Sequence, residues 1–139
     1  MIETQSKKIG PRIYRVRQLK ATQGRKVLVR LLKSFGPALD SLDKGKQNVG
    51  ALLGRVLSEL DEETVDYLCD TFAANTEFDL ENGNFIGLGE SGQFDLHFAG
   101  RYADMTQWLI FCVQVNFADF LGVLSGVVKK SGPPETATP

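Results

Sequence analysis

The chain has 139 residues, of which 42% are hydrophobic and 24% are charged, and this composition excludes full disorder and fibrous repeats. A domain of this length can bury enough apolar surface to need neither a disulfide nor a metal for stability. The net charge of −1 argues against a general nucleic-acid binder.

The charge is distributed unevenly along the chain. Residues 1–46 hold twelve Lys or Arg against three acids, a local charge of +9, so the remainder sums to −10. The two charged regions could neutralise each other within one molecule, or they could attract neighbouring copies stacked head to tail. The cations predicted to form a charged assembly surface are Arg15, Arg17, Lys20, Arg25 and Lys26.

The N-terminal part of the chain predicts one strand and one helix. Residues 1–11 are expected to be a flexible segment. Residues 12–19 alternate apolar and charged side chains, as an exposed or edge strand does. Thr22 is expected to cap a helix that ends at Gly36-Pro37, with a second short helix from Pro37 to about Leu42.

Two further helices and a hairpin are predicted in the middle of the chain. An apolar stripe over residues 49–60 marks the first helix, and Asp61 is expected to cap the second. Residues 76–80 and 85–88 flank the tight-turn dipeptide Asn82-Gly83, which predicts a β-hairpin.

A long helix is predicted from about Phe98, with a bend near Asn116 or Gly122. The expected fold is therefore α+β and mainly α-helical, with an N-terminal strand, a central β-hairpin and a long C-terminal helix. Residues 12–130 are expected to form a single domain, and residues 131–139 to form a disordered tail.

The C-terminal helix carries two apolar faces. If one face fills the core, the other is a candidate to bind a partner, although burial of both faces in a helical core is also possible. One of the two faces consists of Trp108, Phe111, Cys112 and Val115 and is called the second face here. The face predicted to bind a partner contains Leu109, Val113, Phe117, Phe120, Leu121 and Leu124.

No pattern of catalytic, cofactor-binding or metal-binding residues emerges. Residues 87–92 match G-x-G-x-x-G, but they follow a hairpin strand and precede no apolar helix pattern, so they are interpreted as a connector. His97 is the only histidine and is interpreted as a packed residue beside Phe94 and Phe98. Cys69 and Cys112 are interpreted as reduced core residues. We expect neither an enzyme nor a bound cofactor or metal.

A membrane role is also disfavoured by the sequence. Residues 108–128 are long enough to span a bilayer, but Gln114, Asn116 and Asp119 would be costly there. The first residues lack the apolar run of a secretory signal, so a cytoplasmic location is expected.

Five short segments of the chain resemble the tail assembly chaperones of tailed bacteriophages. They are YRVRQL at 14–19 with ATQG at 21–24, HFAGRY at 97–102, QWL at 107–109 and VNF at 115–117, and the likeness covers about residues 12–121. The resemblance implies a protein in the cytoplasm of an infected bacterium that binds the tape measure protein and helps tail-tube protein polymerise around it. It brings no active-site residues.

Self-association is expected alongside these contacts, and nucleic-acid or membrane partners are not. The alternative that uses the same surfaces is a structural tail or baseplate component retained in the virion. A third hypothesis, a small nucleic-acid-binding regulator, would depend on the N-terminal cations and would show steeply salt-dependent binding.

Overall fold

The computed structural model describes residues 2–42, 57–80 and 82–129, with side chains described for residues 2–33, 57–80 and 82–120. The α+β, mainly helical class is confirmed. In chain order the elements are β1 (Thr4–Ile9), β2 (Arg12–Arg17), α1 (Ala21–Leu42), α2 (Glu62–Ala73), β3 (Thr76–Asp79), β4 (Phe85–Gly87), α3 (Gln93–Phe98) and α4 (Tyr102–Lys129).

The four strands form one antiparallel sheet in the order β1-β2-β3-β4. Strands β2 and β3 are distant in sequence, yet Tyr14 lies opposite Phe78 and Val16 opposite Thr76. Because side chains alternate along a strand, these four residues share one face of the sheet, and all four are buried. Helix α4 packs against β1 and β2, so the core lies between that face and the helices.

The expectation that residues 1–11 are flexible is wrong for residues 4–9, which form β1. This strand pairs with β2 along its whole length, from Thr4 opposite Arg17 to Ile9 opposite Arg12. Only Ile9 is buried, because β1 lies at the edge of the sheet, and this explains why the polar sequence gave no strand signal.

The turn between β1 and β2 depends on a glycine. Gly10 has a φ of +59°, a conformation that favours glycine. A Cβ atom on Gly10 would also lie 2.8 Å from Asp104 Oδ2 at the start of α4. The turn therefore places the β1–β2 hairpin directly against α4.

Helix α1 is longer than the sequence predicts. It continues through Gly36-Pro37 to Leu42, so the separate short helix predicted from Pro37 is its last part, and it begins at Ala21, one residue before the predicted cap Thr22. A proline ring clashes with the Cβ atom of the residue before it, and glycine has no Cβ, so Gly36 removes that part of the cost of placing Pro37 inside a helix.

Three local predictions are confirmed. β3 and β4 form the predicted hairpin, and Asp61 caps α2 by accepting a hydrogen bond of 3.0 Å from the Thr64 N–H. Helix α4 is bent near Asn116, since Phe117 has non-helical angles (φ −126°, ψ 24°). Most of the predicted helix over residues 49–60 and the tail over 131–139 lie outside the described residues, and the single-domain boundaries stay a prediction.

The segment 87–92 connects β4 to the six-residue helix α3. The expectation that no helix directly follows this segment is wrong, because six residues from Gln93 to Phe98 are too few to show an apolar helix pattern. A Cβ atom on Gly89 would lie 2.9 Å from Ala74 Cα and 3.1 Å from the Ala73 carbonyl oxygen. The glycine therefore allows the connector to cross the end of α2 at close range.

The core is centred on Trp108, which is fully buried. Its Nε1 donates a 3.2 Å hydrogen bond to Thr76 Oγ1, which in turn donates to the Phe72 carbonyl oxygen at 2.8 Å. Cys69 and Cys112 are buried free thiols, as predicted. Burial raises the pKa of Cys69 to about 11, so its thiol stays protonated and behaves as a small apolar group.

Candidate functional site

The face of α4 predicted to bind a partner lies partly inside the core. Leu109, Val113 and Phe117 are each no more than 7% exposed. The second apolar face is buried over the same length, at Trp108, Phe111, Cys112 and Val115. Of the two outcomes that the sequence leaves open, burial of both faces therefore holds for residues 108–117. The physical reason is that α4 lies between the sheet and helices α1, α2 and α3.

The rest of that predicted face follows the bend. Phe120 is half-buried, and α4 continues as a helix to Lys129. The side chains of Leu121 and Leu124 lie outside the described ones. Contact between this face and a partner stays a prediction.

The bend in α4 is held by a set of hydrogen bonds to the link between β2 and α1. The Leu19 N–H donates to Asn116 Oδ1 at 2.7 Å, and Gln18 Nε2 donates to the Val115 carbonyl oxygen at 3.0 Å. Asn116 Nδ2 also donates to the Cys112 carbonyl oxygen at 2.9 Å. The sequence indicates a bend at this point but not its partners, because a polar residue in an apolar helix does not show which segment it binds.

Two of the five predicted assembly cations lie together in a groove between α1 and α2. This groove, called the α1 groove here, has a volume of about 840 Å³. One wall carries cations from α1 and the other carries two acids, a threonine and a tyrosine. Its lining residues are Arg25, Lys26, Val29, Arg30, Lys33, Glu59, Asp61, Thr64 and Tyr67.

The two walls of the α1 groove contact each other at one aromatic ring. The guanidinium carbon of Arg30 lies 4.2 Å from the centroid of Tyr67, a favourable cation–π arrangement. Hydrogen bonds from Thr64 lower the pKa of Asp61, and the charge of Arg30 contributes less. Among the described residues, no ion pair joins the two walls.

The other three predicted cations lie apart from the α1 groove. Arg15 and Arg17 project from the face of the sheet opposite the core, and Lys20 is exposed just before α1. Arg15 forms an exposed ion pair of 2.6 Å with Glu77, and its guanidinium carbon lies 3.6 Å from the centroid of Phe85. Most of its charge is therefore balanced within the molecule.

An acidic stripe lies on the exposed side of α2. The stripe consists of Glu62, Asp66 and Asp70, which are four residues apart and therefore lie in a row along the helix. None of the three lines the α1 groove, and within the described parts of the chain none forms an ion pair. The four-residue spacing of these acids can be read from the sequence, whereas their position relative to the α1 groove cannot.

His97 is a packed, hydrogen-bonded residue, as the sequence analysis interpreted it. Its Nε2 lies 2.7 Å from Tyr14 Oη, and its ring lies 4.0 Å from Phe78 and 4.7 Å from Phe98, between centroids. Burial lowers the pKa of His97 to about 4 and raises the pKa of Tyr14 to about 12. Both groups are neutral near pH 7, where a general acid or base would titrate.

The described residues hold neither a cluster of metal ligands nor a membrane-spanning helix. They contain no group of three or more His, Cys, Asp or Glu side chains placed to hold a metal ion. Within the same ranges, no helix is both long and apolar enough to cross a bilayer. Within the described parts of the chain, the α1 groove, the acidic stripe and the part of α4 after the bend each present a surface to solvent.

Comparisons with known proteins give one finding. A family model described as phage tail assembly chaperone protein, TAC, matches residues 10–128, which extend from the β1–β2 turn to the end of α4. The comparison with curated proteins and the comparison with solved structures returned no match.

Proposed function

The chain belongs to the phage tail assembly chaperone family, and on that premise we propose that it binds the tape measure protein and promotes polymerisation of tail-tube subunits around it. The family match over residues 10–128 is the observation that supports this proposal. Such a protein acts by contact and release, so the proposal includes no catalytic step. It also places the protein in the cytoplasm of the infected bacterium, where its copies associate with one another.

The proposed contact with the tape measure protein lies on α4 after the bend. Leu109, Val113 and Phe117 are committed to the core, so a partner cannot reach them without unfolding the domain. That leaves Phe120, Leu121 and Leu124 from the predicted face. An apolar helical segment of this kind can shield the apolar segments of another chain.

Co-expression with the tape measure protein of the same phage tests this contact. The double variant Phe120→Asp with Leu124→Asp should lose co-purification, because two carboxylates cannot be buried in an apolar contact. Since Phe120 also packs partly against the core, the test requires that the variant be shown to fold. Leu96→Asp is the matched control, since Leu96 is 75% exposed on α3. Phe117 is unsuitable, because its substitution by Asp would disrupt the core. A folded double variant that co-purifies like wild type would refute the contact.

Mass spectrometry of purified virions distinguishes the two roles that remain. An assembly chaperone should be absent from mature particles or far below the copy number of the tube protein. A fixed, near-stoichiometric amount would instead identify a structural tail or baseplate component.

Circular dichroism of each co-purification variant would confirm that the loss of binding does not arise from unfolding.

A further inference from the structure

Strand β1 is the longer of the two edges of the sheet. Among the described residues it pairs only with β2, so one side of its backbone has no neighbouring strand. The opposite edge, β4, has only three residues and offers few backbone groups for pairing. The six residues of β1 are therefore the edge to which another extended chain can be added.

The hydrogen bonds of the sheet show which backbone groups of β1 face this open edge. The Gln18 N–H donates to the Glu3 carbonyl oxygen at 2.8 Å, so residue 3 bonds toward β2. Along an antiparallel strand, every second residue bonds to the same neighbour. The N–H and C=O groups of Thr4, Ser6 and Lys8 therefore point away from β2. They form a row of donors and acceptors roughly 14 Å long.

The side chains along the open edge are polar and positively charged. Lys7 and Lys8 are exposed, β1 contains no acid, and within the described parts of the chain neither lysine forms an ion pair. Lys7 lies on the core face of the sheet, with its Nζ 5.8 Å from the centroid of Phe111, and Lys8 lies on the opposite face. A strand added here would meet one cation on each of its faces.

This charge favours an acidic occupant over a second copy of β1. Two copies of the strand would bring four lysines together, and lysine on an edge discourages the pairing of like edges. An acidic strand would instead place carboxylates beside Lys7 and Lys8, so its charge complements the edge.

We propose that the open edge of β1 binds an extended, acidic segment of another protein, which is added to the sheet as a fifth strand. Backbone hydrogen bonds to Thr4, Ser6 and Lys8 supply affinity, and carboxylates beside the two lysines select the partner. The edge includes none of the residues proposed to contact the tape measure protein, so the inference goes beyond the proposed function.

A synthetic peptide tests the charge and the backbone pairing separately. The probe is a short capped peptide of threonine and valine with two adjacent glutamates, which place one carboxylate on each face of an extended chain. A version with lysine for both glutamates, and a version with methylated backbone nitrogens, should each bind the full chain about tenfold or more weaker. Wild type that fails to bind the glutamate probe at about 1 mM, or binds the methylated version equally, overturns the proposal.

Two substitutions of Ser6 form a matched pair for this binding assay. Ser6→Pro removes an outward N–H and places a ring on the open edge, whereas the bonds from β1 to β2 remain. It should weaken probe binding about tenfold or more, and Ser6→Ala, which keeps the N–H, about twofold or less. A folded Ser6→Pro variant that binds like wild type refutes strand addition.

A charge reversal tests the selection without relying on the proline variant. Lys7→Glu with Lys8→Glu should lose affinity for the glutamate probe and gain affinity for the lysine version, because the signs of both contacts are exchanged. If this variant keeps the preference of wild type, the two lysines do not select the partner and the proposal is wrong.

Hydrogen exchange identifies the backbone groups that the probe engages. The amides of Thr4, Ser6 and Lys8 should exchange more slowly when the probe is bound, whereas those of Gln5 and Lys7, which bond toward β2, should change little. Uniform protection of all five amides, or of none, contradicts strand addition.

Sedimentation of the wild-type chain alone tests the other occupant. A dimer that Ser6→Pro abolishes would show that a second copy fills the edge, and this result overturns the proposal. Co-purification with the tape measure protein is scored separately, because a chain that binds it but not the probe would refute this inference and leave the proposed function intact.

Discussion

Replacing Asn116 by Ala should destabilise the fold measurably, although the residue lies at the edge of the core. The substitution leaves the partly buried N–H of Leu19 without its 2.7 Å acceptor. An unsatisfied buried donor costs about 1–3 kcal/mol. Alanine recovers about 0.6 kcal/mol through its higher helix propensity. The Cys112 carbonyl oxygen loses only the second of its hydrogen bonds, the one donated by Asn116 Nδ2. The free energy of unfolding should therefore fall by about 0.4–2.4 kcal/mol.

Urea unfolding of both proteins followed by circular dichroism measures this change, with the slope m expected to be the same. Hydrogen exchange at the Leu19 amide supplies a local readout, and this amide should exchange faster in the variant. Asn84→Ala is the control, because Asn84 is exposed in the β3–β4 turn. A change of less than about 0.4 kcal/mol, with unaltered exchange at Leu19, would show that the bond does not hold the bend.

Two further predictions concern pH and backbone packing. Folding lowers the pKa of His97 from 6.5 to about 4, so between these two pH values the unfolded chain binds the proton and the folded protein does not. The free energy of unfolding should therefore decrease as the pH falls from 6.5 to about 4. Urea unfolding between pH 4 and 7 should show a shallower loss for His97→Gln. Gly89→Ala should cost about 1–3 kcal/mol, since the new Cβ meets the backbone of Ala74 at 2.9 Å, whereas Gly24→Ala in α1 should be neutral or stabilising.

The features that could be predicted from sequence are those that a few adjacent residues determine. Asn82-Gly83 specifies a tight turn by its backbone preferences, and Asp61 caps α2 with its own side chain. The bend near Asn116 follows from a polar residue within an apolar helix. Each of these signals acts over four residues or fewer, so no knowledge of the remaining chain is needed.

The features that escaped prediction depend on distant segments. β1 is a strand because β2 pairs with it and the Gly10 turn fits against Asp104, and its own side chains are almost all polar. In the same way, β2 and β3 become neighbours only when the helices between them fold back. The α1 groove likewise required the placement of α2 beside α1, which the charge pattern alone left open.

The burial of α4 has the largest consequence for function. The sequence shows an apolar helix with two faces, and the natural inference is that a small domain exposes one of them. The sheet and three helices instead enclose α4 from Trp108 to Phe117, so excess apolar surface along this part of the helix cannot define the partner site.

The bend in α4 bears on the proposed function in a way that the sequence alone does not show. The Asn116 hydrogen bonds anchor the buried part of α4 to the β2–α1 link, and Phe120, after the bend, still packs partly against the core. The proposed partner contact and the core therefore meet at Phe120. For this reason the Phe120 and Leu124 variants report on the proposed contact only when circular dichroism shows that they fold, whereas a Phe117 variant would report on folding.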